Sequence, residues 1–578
     1  MEESFRSDSC QLLETDGDFI RFGHVATFDL QLVEALSPCD ERRRDFKMDM
    51  DIDTGGNQGQ NPGQRGYMAA ASGPIEVDPS EIEFLEQIGS GSFGAVYAGK
   101  CRQKDVAVKV LAKQDFDQKT LEAFRHEVAV MSKIYHPNVN LFMGACTVPG
   151  NMMIVTELMR GDLERLILDD QVHLTLLERM KLARDAALGM LWLHSSNPQI
   201  IHRDLKASNL LVDTNLNCKI CDFGLSQFTP RGKNIMDGKE GAKGTPLWMA
   251  PEVMMGEPFN EKADIYSFGL ILWFLVTKKE PYEEYDDLET FTRDICLQKV
   301  RPRLPVDCDP NLRDLITRCW DQHPQVRPRF SDIITKIEHI MVDLAIEDKI
   351  GRQFWKYYFL QKDTVSWSDF INAFAKLLDL VPAIYKNHPI AYILQNHPEV
   401  LEEKLRLDIE CLKIVLADVS KNQSEDNFVV FSEKFGNICN WFGPLGLKPF
   451  PNNQSILDKI RLLLLESWFH GDISTPESEL RLSGKPEGTF LVRFSTSSAG
   501  CYTVTKVSAG PDGKPSIKHQ KIQHRPATGV FEINGRSYPT LIDLIRCEQN
   551  ELRLFMPCGG SRYQTLFMQQ NTAGYVDG

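Results

Sequence analysis

One short run constrains this chain of 578 residues more than any other feature. Residues 201–209 read Ile-His-Arg-Asp-Leu-Lys-Ala-Ser-Asn, and residues 222–224 (Asp-Phe-Gly) and 250–252 (Ala-Pro-Glu) follow in order. The run and its successors include two aspartates, a lysine and an amide. These groups suit phosphoryl transfer, in which one carboxylate accepts a hydroxyl proton, the lysine neutralises charge, and amide and carboxylate oxygens hold magnesium.

A glycine-rich turn lies upstream, where residues 89–96 read Gly-Ser-Gly-Ser-Phe-Gly-Ala-Val. Such a turn lets backbone N–H groups approach phosphate oxygens. It would also fit a dinucleotide-binding turn, but that turn should open a helix. Here the pattern predicts two strands of a meander, at residues 96–99 and 106–110. Lys109 brings a charge among the valines of the second strand, which indicates a functional role.

The expected partner of Lys109 lies on the next predicted element. From Thr120, apolar residues recur at helical spacing and predict an amphipathic helix. Glu127 borders the apolar stripe, so its carboxylate can point inward and form an ion pair with Lys109. Glu122 is the competing candidate. The apolar positions are Leu121, Phe124, Val128 and Met131.

In order and spacing, these motifs resemble the catalytic core of protein kinases. The resemblance implies a bilobal kinase fold, with Asp204 as the base and Lys206 as the charge-neutralising residue. Asn209 and Asp222 are the expected magnesium ligands. We further expect Glu252 to pair with Arg327, and Asp264 to hydrogen-bond the catalytic-loop backbone.

The implied cofactors are ATP and Mg²⁺, with Mn²⁺ as a substitute. Arg203 would receive a phosphorylated activation segment, and Ser226 and Thr229 are the candidate regulatory hydroxyls because residues 222–252 contain no tyrosine. The predicted ATP-binding residues are Ile88, Gly89, Gly91, Gly94, Val96, Ala107, Lys109, Glu127, Thr156, Glu157 and Met159.

Two segments bear on which hydroxyl is phosphorylated. Lys206, two residues after Asp204, and residues 244–249 (Gly-Thr-Pro-Leu-Trp-Met) look like a serine/threonine kinase. Residues 136–146 resemble Raf and the tyrosine-kinase-like group, whose members are mostly serine/threonine-specific and in some cases dual-specificity. We therefore expect mainly serine/threonine phosphorylation and leave tyrosine open.

A second chemistry lies near the C-terminus. Residues 468–474 (Trp-Phe-His-Gly-Asp-Ile-Ser) and 488–495 (Gly-Thr-Phe-Leu-Val-Arg-Phe-Ser) together resemble a Src-homology-2 (SH2) domain. Strand alternation puts Arg493 and Ser495 on one face, and a later strand does the same for His519 and Lys521. A recessed arginine offers bidentate hydrogen bonds to a phosphate. Among phosphorylated residues, only phosphotyrosine has a side chain long enough to place its phosphate at that depth. The expected phosphotyrosine site is Arg493, Ser495, Thr496, His519 and Lys521.

One position departs from the SH2 pattern. Thr475 stands where this family often has a second phosphate-binding arginine. We therefore expect a working but weaker pocket that depends on Arg493, Ser495 and the hydroxyls of residues 496–498, with help from Lys521. Gln520 replaces a frequent aromatic residue beside the peptide, so the family's preference past the phosphotyrosine is not inherited.

These features predict an α+β multidomain protein. We expect an acidic, largely disordered tail (1–79), a kinase domain (80–345), a helical connector (346–466), an SH2 domain with a central antiparallel sheet flanked by two helices (467–565), and a C-terminal tail (566–578). The first eighty residues carry 16 acidic against 7 basic side chains, and their glycine-rich part favours disorder.

Composition bears on location and partners. The longest apolar run, Leu270–Val276, is too short to cross a membrane, and the acidic N-terminus resembles no signal peptide. The 14 scattered cysteines suit reducing cytosol. We expect a cytoplasmic protein with no transmembrane segment and no nucleic-acid partner, for which peripheral recruitment to the inner face of the plasma membrane is open.

The order of tail, kinase, helical connector and SH2 domain resembles the Shk family of protein kinases, over roughly residues 80–565. That resemblance implies an ATP-dependent kinase that its SH2 domain targets to phosphotyrosine-marked signalling complexes, with proteins as substrates. Two alternatives stay open at this point. One is a catalytically weak adaptor that only binds phosphotyrosine, and the other is an active kinase whose SH2 domain is purely structural.

Overall fold

The computed structural model describes residues 76–91, 94–111, 114, 118–222, 227–229, 245–380, 386–419, 428–445, 455–498, 500–510, 514–525 and 528–568. These residues fall into two compact units. The first comprises the described residues up to Thr364 together with Phe431–Cys439. The second comprises Val365–Val430 and the residues from Asn440 onward. The predicted tail before residue 76 lies outside the described residues.

The first unit begins with an antiparallel sheet in the order β1-β2-β3-β5-β4. The alternating valines of β3 bury Val106 and Val108, as a half-buried strand requires. Helix α1 forms where the apolar spacing predicted it, and Leu121, Phe124 and Val128 are buried. The elements are β1 (Ile82–Gly91), β2 (Gly94–Cys101), β3 (Lys104–Leu111), α1 (Gln118–Met131), β4 (Phe142–Cys146) and β5 (Met153–Glu157).

The rest of the first unit is mainly helical and surrounds α5, which is buried over most of its length. A mostly apolar helix that is buried on all sides belongs in the centre of a core. The helices are α2 (Leu163–Leu168), α3 (Leu176–Ser195), α4 (Pro251–Met254), α5 (Lys262–Thr277), α6 (Leu288–Cys296), α7 (Pro310–Cys319) and α8 (Phe330–Ala345). Short strands join them: β6 (Gly161–Asp162), β7 (Gln199–Ile201), β8 (Leu210–Val212), β9 (Cys218–Ile220) and β10 (Gln227–Thr229).

The packed sheet lobe extends further toward the N-terminus than the predicted boundary at residue 80. Val77 is buried, and its backbone N–H donates to the carbonyl of Ala145 on β4 at 2.9 Å. The Glu76 carboxylate accepts from the backbone N–H of Thr147 at 2.8 Å. Residues 76 and 77 therefore belong to the sheet lobe, because they satisfy the outer edge of β4.

The predicted connector, residues 346–466, is largely helical, although it also holds short strands that the sequence pattern did not predict. Strands β12 and β13 pair in antiparallel fashion. The helices are α9 (Lys349–Phe359), α10 (Trp367–Leu377), α11 (Ile390–Asn396), α12 (Glu403–Leu416), α13 (Ser432–Phe442) and α14 (Ile456–Leu465). The strands are β11 (Thr364–Ser366), β12 (Asp418–Val419) and β13 (Phe428–Phe431).

The beginning of the connector is part of the first unit. Trp355 on α9 is completely buried, lies face to face with Phe435 at a centroid distance of 5.7 Å, and meets Phe359 edge-on. Its indole N–H donates to the carbonyl of Lys362 at 3.1 Å. Arg184 on α3 forms a 2.7 Å ion pair with Asp363. This stretch therefore completes the core of the first unit.

The C-terminal part of the second unit is built on a sheet in the order β14-β15-β16-β17-β18-β19, with β20 parallel to β15. Helix α15 packs against β15 and β16, and α16 packs against β18 and β19. The elements are β14 (Phe469–Gly471), α15 (Thr475–Leu482), β15 (Thr489–Phe494), β16 (Tyr502–Ala509), β17 (Pro515–Arg525), β18 (Val530–Ile533), β19 (Arg536–Tyr538), α16 (Leu541–Glu548), β20 (Met556–Pro557) and α17 (Thr565–Met568).

The end of the connector packs within this second unit. The Trp441 indole stacks on the Phe494 ring of β15 with centroids 3.6 Å apart, and the Trp441 carbonyl accepts from the Tyr502 hydroxyl at 2.9 Å. Buried His524 bonds the carbonyl of Asn440 at 2.7 Å, and burial lowers the pKa of this imidazole to about 4.

None of the helices that the structure describes has the length and apolar character needed to cross a membrane.

We predict that Trp355→Ala lowers the free energy of unfolding of the first unit by about 3–5 kcal/mol, because it removes a buried indole and leaves a cavity. Chemical denaturation of the full-length chain measures the effect. Tyr357→Ala is the matched control on the same helix; this side chain is 59% exposed, so the change should stay within about 0.5 kcal/mol. Equal losses in the two variants would contradict the assignment of Trp355 to a core.

Candidate catalytic and phosphotyrosine sites

A buried carboxylate on α5 fixes the catalytic loop. Asp264 accepts the backbone N–H groups of His202 and Arg203, each at 2.9 Å, and the Nε2–H of His194 at 2.8 Å. Burial alone would raise the pKa of Asp264, but the hydrogen bond and charge of His194 outweigh it and keep the pKa below its ordinary value. The predicted bond from Asp264 to the loop backbone is confirmed. In this anchored loop, the backbone of Arg203 has a φ of +72°.

The residues predicted to catalyse the reaction meet just after this anchor. Asn209 Nδ2 donates to the carbonyl of Asp204 at 2.7 Å and to its carboxylate at 3.1 Å. The Asp204 carboxylate also accepts from the backbone N–H of Thr245 at 2.9 Å. Lys206 Nζ lies 3.4 Å from Asp204 and donates to the Thr245 hydroxyl at 2.7 Å. The sequence did not identify Thr245 as a member of this hydrogen-bonded group.

Lys109 on β3 forms an ion pair with the carboxylate of Asp222. Its Nζ lies 2.6 Å from Asp222 Oδ1, and both side chains are about one quarter exposed. Asp222 has a φ of +61°, in the left-handed region that residues other than glycine rarely adopt. The side chain of Glu127 lies outside the described residues, so the Lys109–Glu127 pair stays a prediction.

The register of the sheet brings the predicted nucleotide-binding residues together. Gly89 pairs with Val96, Val96 with Lys109, and Ala107 with Thr156. Gly91 and Gly94 face each other at the turn between β1 and β2. These positions therefore lie side by side on the neighbouring strands β1, β2, β3 and β5. Ile88 is exposed on the same hairpin, and Met159 lies just beyond β5.

Glu157, at the end of β5, has partners that the sequence did not suggest. Its carboxylate accepts from Lys219 Nζ on β9 at 2.7 and 2.8 Å, and from the backbone N–H of Leu141 at 2.7 Å. The Glu157 side chain is therefore fully engaged by protein groups. This leaves its backbone as the part that can contact a nucleotide.

The predicted ion pair between Glu252 and Arg327 is confirmed. The two side chains form parallel bonds of 2.6 and 2.9 Å, and both are buried. A bidentate pair of this kind fixes position as well as charge. It ties α4 to the segment that precedes α8.

The regulatory candidates are only partly described. Arg203 lies with its guanidinium 5.5 Å from the centre of the Phe259 ring. Ser226 and the Thr229 side chain lie outside the described residues. The backbone of Thr229 pairs with Gln199 in the β10–β7 ladder.

In the second unit, Arg493 occupies a recessed position on β15. It is only 3% exposed; its Nη2 donates to the Thr475 hydroxyl at 2.8 Å and its Nη1 to the carbonyl of Phe494 at 3.1 Å. Arg493 Nε is buried and has no hydrogen-bond partner among the described residues. Burial lowers the pKa of this guanidinium, and Glu479 acts in the opposite direction. An arginine with an unused donor in a recess is suited to receive an anion.

The other predicted phosphate-binding residues surround this position. Strand pairing aligns Arg493 with Thr503 and Thr503 with Lys521. Ser495 is buried and its hydroxyl lies 3.3 Å from that of Ser497.

The remaining two predicted residues are more accessible. Thr496 is exposed. The imidazole of His519 bonds the Thr505 hydroxyl at 3.1 Å and the Glu479 carboxylate at 3.0 Å.

Sequence reasoning missed two contributions from α15. Thr475 does not simply lack the expected arginine side chain, because its hydroxyl accepts a hydrogen bond from the guanidinium of Arg493. Glu479 lies one turn further along and bonds His519. The available signal was the four-residue spacing of these two positions behind the helix cap at Ser474, which places them on one face.

Comparison with known proteins agrees with both units. A family model described as "Protein tyrosine and serine/threonine kinase" matches residues 82–337. A model of the SH2 domain matches residues 468–547. The first match covers the residues from β1 into α8, and the second covers those from β14 into α16.

Relatives extend the match across most of the chain. The dual specificity protein kinase shkA of Dictyostelium discoideum is 51% identical over 87% of this chain and 93% of its own length. The dual specificity protein kinase shkC of the same organism is 48% identical over 83% and 91%. The serine/threonine-protein kinase CTR1 of Arabidopsis thaliana is 44% identical over 45% of this chain and 32% of its own length. The chain therefore belongs to the Shk family of protein kinases, which join a kinase domain to a C-terminal SH2 domain.

Proposed function

We propose that this kinase phosphorylates mainly serine and threonine and accepts tyrosine as a second class of hydroxyl. The observation that carries the proposal is the group formed by Asp204, Lys206 and Thr245, in which Lys206 bonds both the base and the segment before α4. A lysine at that position is expected of serine/threonine kinases. The dual-specificity names of the Dictyostelium relatives support tyrosine as the additional acceptor.

In this proposal, each residue has a task that its contacts support. Asp204 orients the attacking hydroxyl and accepts its proton at the carboxylate, which the Thr245 N–H and Asn209 Nδ2 hold in place. Lys206 Nζ, 3.4 Å from Asp204, neutralises charge that develops during transfer. Lys109 binds phosphate oxygens from β3. Positioning of this kind supplies most of the catalysis in phosphoryl transfer.

The donor set also fits a divalent cation beside ATP. Asn209 uses its amide nitrogen on Asp204, which leaves the amide oxygen to act as a ligand. Asp222 supplies a carboxylate, and oxygen donors are the ligands that Mg²⁺ prefers, with Mn²⁺ as a substitute. Bound ATP and metal would supply the phosphoryl group and neutralise its charge. Lys109, already 2.6 Å from Asp222, would hold that carboxylate toward the phosphates.

Asp204→Asn tests the catalytic assignment. We expect the rate of phosphorylation of a generic protein substrate to fall by roughly 10²–10⁴, because the amide cannot accept the proton. Asp170→Asn, at an exposed position after α2, is the control and should retain the wild-type rate. A thermal melt checks that both variants fold. A wild-type rate in Asp204→Asn would refute the role.

Phosphoamino-acid analysis of the products tests the hydroxyl preference. Wild-type protein should yield mostly phosphoserine and phosphothreonine with a smaller phosphotyrosine fraction, and all three should disappear together in Asp204→Asn. Phosphotyrosine that persists in the variant would come from a contaminating kinase. Products containing phosphotyrosine alone would overturn the proposal.

Activation is proposed to depend on Ser226 or Thr229, with Arg203 as the charge that receives their phosphate. The double variant Ser226→Ala, Thr229→Ala should lose most of the activity on a generic substrate. Replacing both residues by aspartate should restore part of it. Full activity in the alanine variant would show that the segment is ordered by another means.

For the second unit, we propose that the recess around Arg493 binds phosphotyrosine and delivers the kinase to phosphotyrosine-marked complexes, including those at the inner face of the plasma membrane. The buried, unpartnered Arg493 Nε supports a ligand at this point. Ser495, Thr496 and Lys521 would add hydroxyl and ammonium donors. Recruitment would raise the local concentration of substrates that are phosphorylated poorly in free solution.

Arg493→Leu tests this delivery. We expect the full-length variant to lose its preference for phosphorylated over plain tyrosine peptides, because no bidentate donor remains for the phosphate. Arg525→Leu is the control, since this arginine on β17 is 63% exposed and pairs with Glu532. Isothermal titration with both peptides gives the measurement. A wild-type chain that binds both peptides equally would mean that the SH2 domain is structural.

A further inference from the structure

Helix α15 brings an acidic side chain to the recess that the proposed function assigns to phosphotyrosine. Thr475 and Glu479 are four residues apart, so they lie on one face of the helix. Thr475 bonds Arg493 at 2.8 Å, and Glu479 bonds His519 at 3.0 Å. One helix face thus contacts both the buried arginine and the imidazole that are expected to meet the phosphate.

The bond between Glu479 and His519 uses a donor that a phosphate would need. Because a carboxylate only accepts, the His519 Nε2–H must point at Glu479. His519 Nδ1 is directed at the Thr505 hydroxyl, 3.1 Å away. Both ring nitrogens are therefore engaged by the protein, and the imidazole has no hydrogen left for an incoming anion.

The charge of Glu479 also acts against a phosphate. Its electrostatic effect reaches Arg493, whose pKa it pushes upward against the lowering effect of burial. A carboxylate close enough to stabilise the guanidinium is close enough to repel a phosphate dianion at the same place. The Glu479 side chain is 49% exposed, so it can swing away into solvent without breaking a core.

We propose that Glu479 is an internal competitor of the phosphate: its carboxylate occupies His519 in the free domain and must leave when phosphotyrosine binds. This inference rests on the proposed function of the SH2 domain and deepens it. Glu479 sets the affinity of the recess below the value that Arg493, Ser495 and Lys521 could reach. The module is thereby suited to rapid release of its targets.

The sign of the effect separates this role from a simpler one. If Glu479 only oriented His519 for binding, its removal would weaken the complex. If Glu479 competes, its removal frees the Nε2–H and removes a repulsive charge, so the complex tightens. Glu479→Gln is the sharpest variant, because it keeps the size of the side chain, removes the repulsive charge, and leaves His519 Nε2–H only a weaker, neutral amide oxygen that a phosphate can displace.

Helix α15 offers a matched control. Glu477 lies two residues earlier on the same helix and pairs with Arg481 at 2.8 Å instead of with the recess. Glu477→Gln removes the same charge from the same helix without touching His519. Any general effect of net charge on peptide binding will appear equally in this variant.

The experiment measures the affinity of the full-length chain for a fluorescent peptide pool randomised around a fixed phosphotyrosine, with plain tyrosine peptides in parallel. We expect Glu479→Gln to bind the phosphorylated pool roughly threefold to tenfold more tightly than wild type at low salt, and Glu477→Gln to match wild type. High salt should shrink the gain, because it screens the charge of Glu479.

Unchanged or weaker binding in Glu479→Gln, with wild type still preferring phosphotyrosine, would overturn the competitor role and leave the proposed SH2 function intact. An equal gain in Glu477→Gln would also overturn it. If neither wild type nor Glu479→Gln distinguishes phosphorylated from plain peptides, both the proposed function and this inference fail.

Discussion

The catalytic half of this molecule depends on one buried carboxylate. Asp264 sits within the apolar helix α5, where an unpaired charge would cost several kcal/mol. Three donors compensate for that cost: the backbone N–H groups of His202 and Arg203 and the imidazole of His194. Two of these donors belong to the catalytic loop. If the loop moved away, the buried carboxylate would lose their hydrogen bonds in an apolar environment. This constraint also positions Asp204, the proposed base, and Asn209, the proposed magnesium ligand, because both follow closely in the same loop.

The SH2 domain uses the same physical device with the charges reversed. Arg493 is a buried cation on β15 whose two terminal nitrogens are held by Thr475 and by a backbone carbonyl. Its third nitrogen is left without a partner among the described residues. At Asp264 the three donors all contact the buried carboxylate, so this group has a structural role. In the recess, Arg493 Nε has no partner among the described residues, which supports our proposal that it receives a ligand whose affinity Glu479 limits.

Local patterns in the sequence predicted much of this arrangement. The β2–β3 meander, helix α1, the Glu252–Arg327 pair and the bond from Asp264 to the loop follow from spacing and from motifs whose chemistry is well defined. Contacts between residues far apart along the chain were not predictable. Val77 pairs with Ala145, and Lys219 reaches Glu157, because the fold brings them together. The sequence showed only that Thr475 replaces an arginine that is frequent in SH2 domains. It did not show that the Thr475 hydroxyl would bond Arg493.

The connector shows most clearly why motif boundaries differ from folding boundaries. Family models end the kinase at residue 337 and begin the SH2 domain at residue 468, because motifs define those limits. Packing sets other limits. Trp355 fills the core of the first unit, and Trp441 stacks on Phe494, the residue next to Arg493 in the second. A buried indole contributes several kcal/mol, which is a large share of the stability of a domain. A fragment cut at either motif boundary would therefore lose the buried Trp355 or the half-buried Trp441, and would expose the apolar surface that the ring covers. For this chain, the aromatic residues of the connector belong to the two functional units.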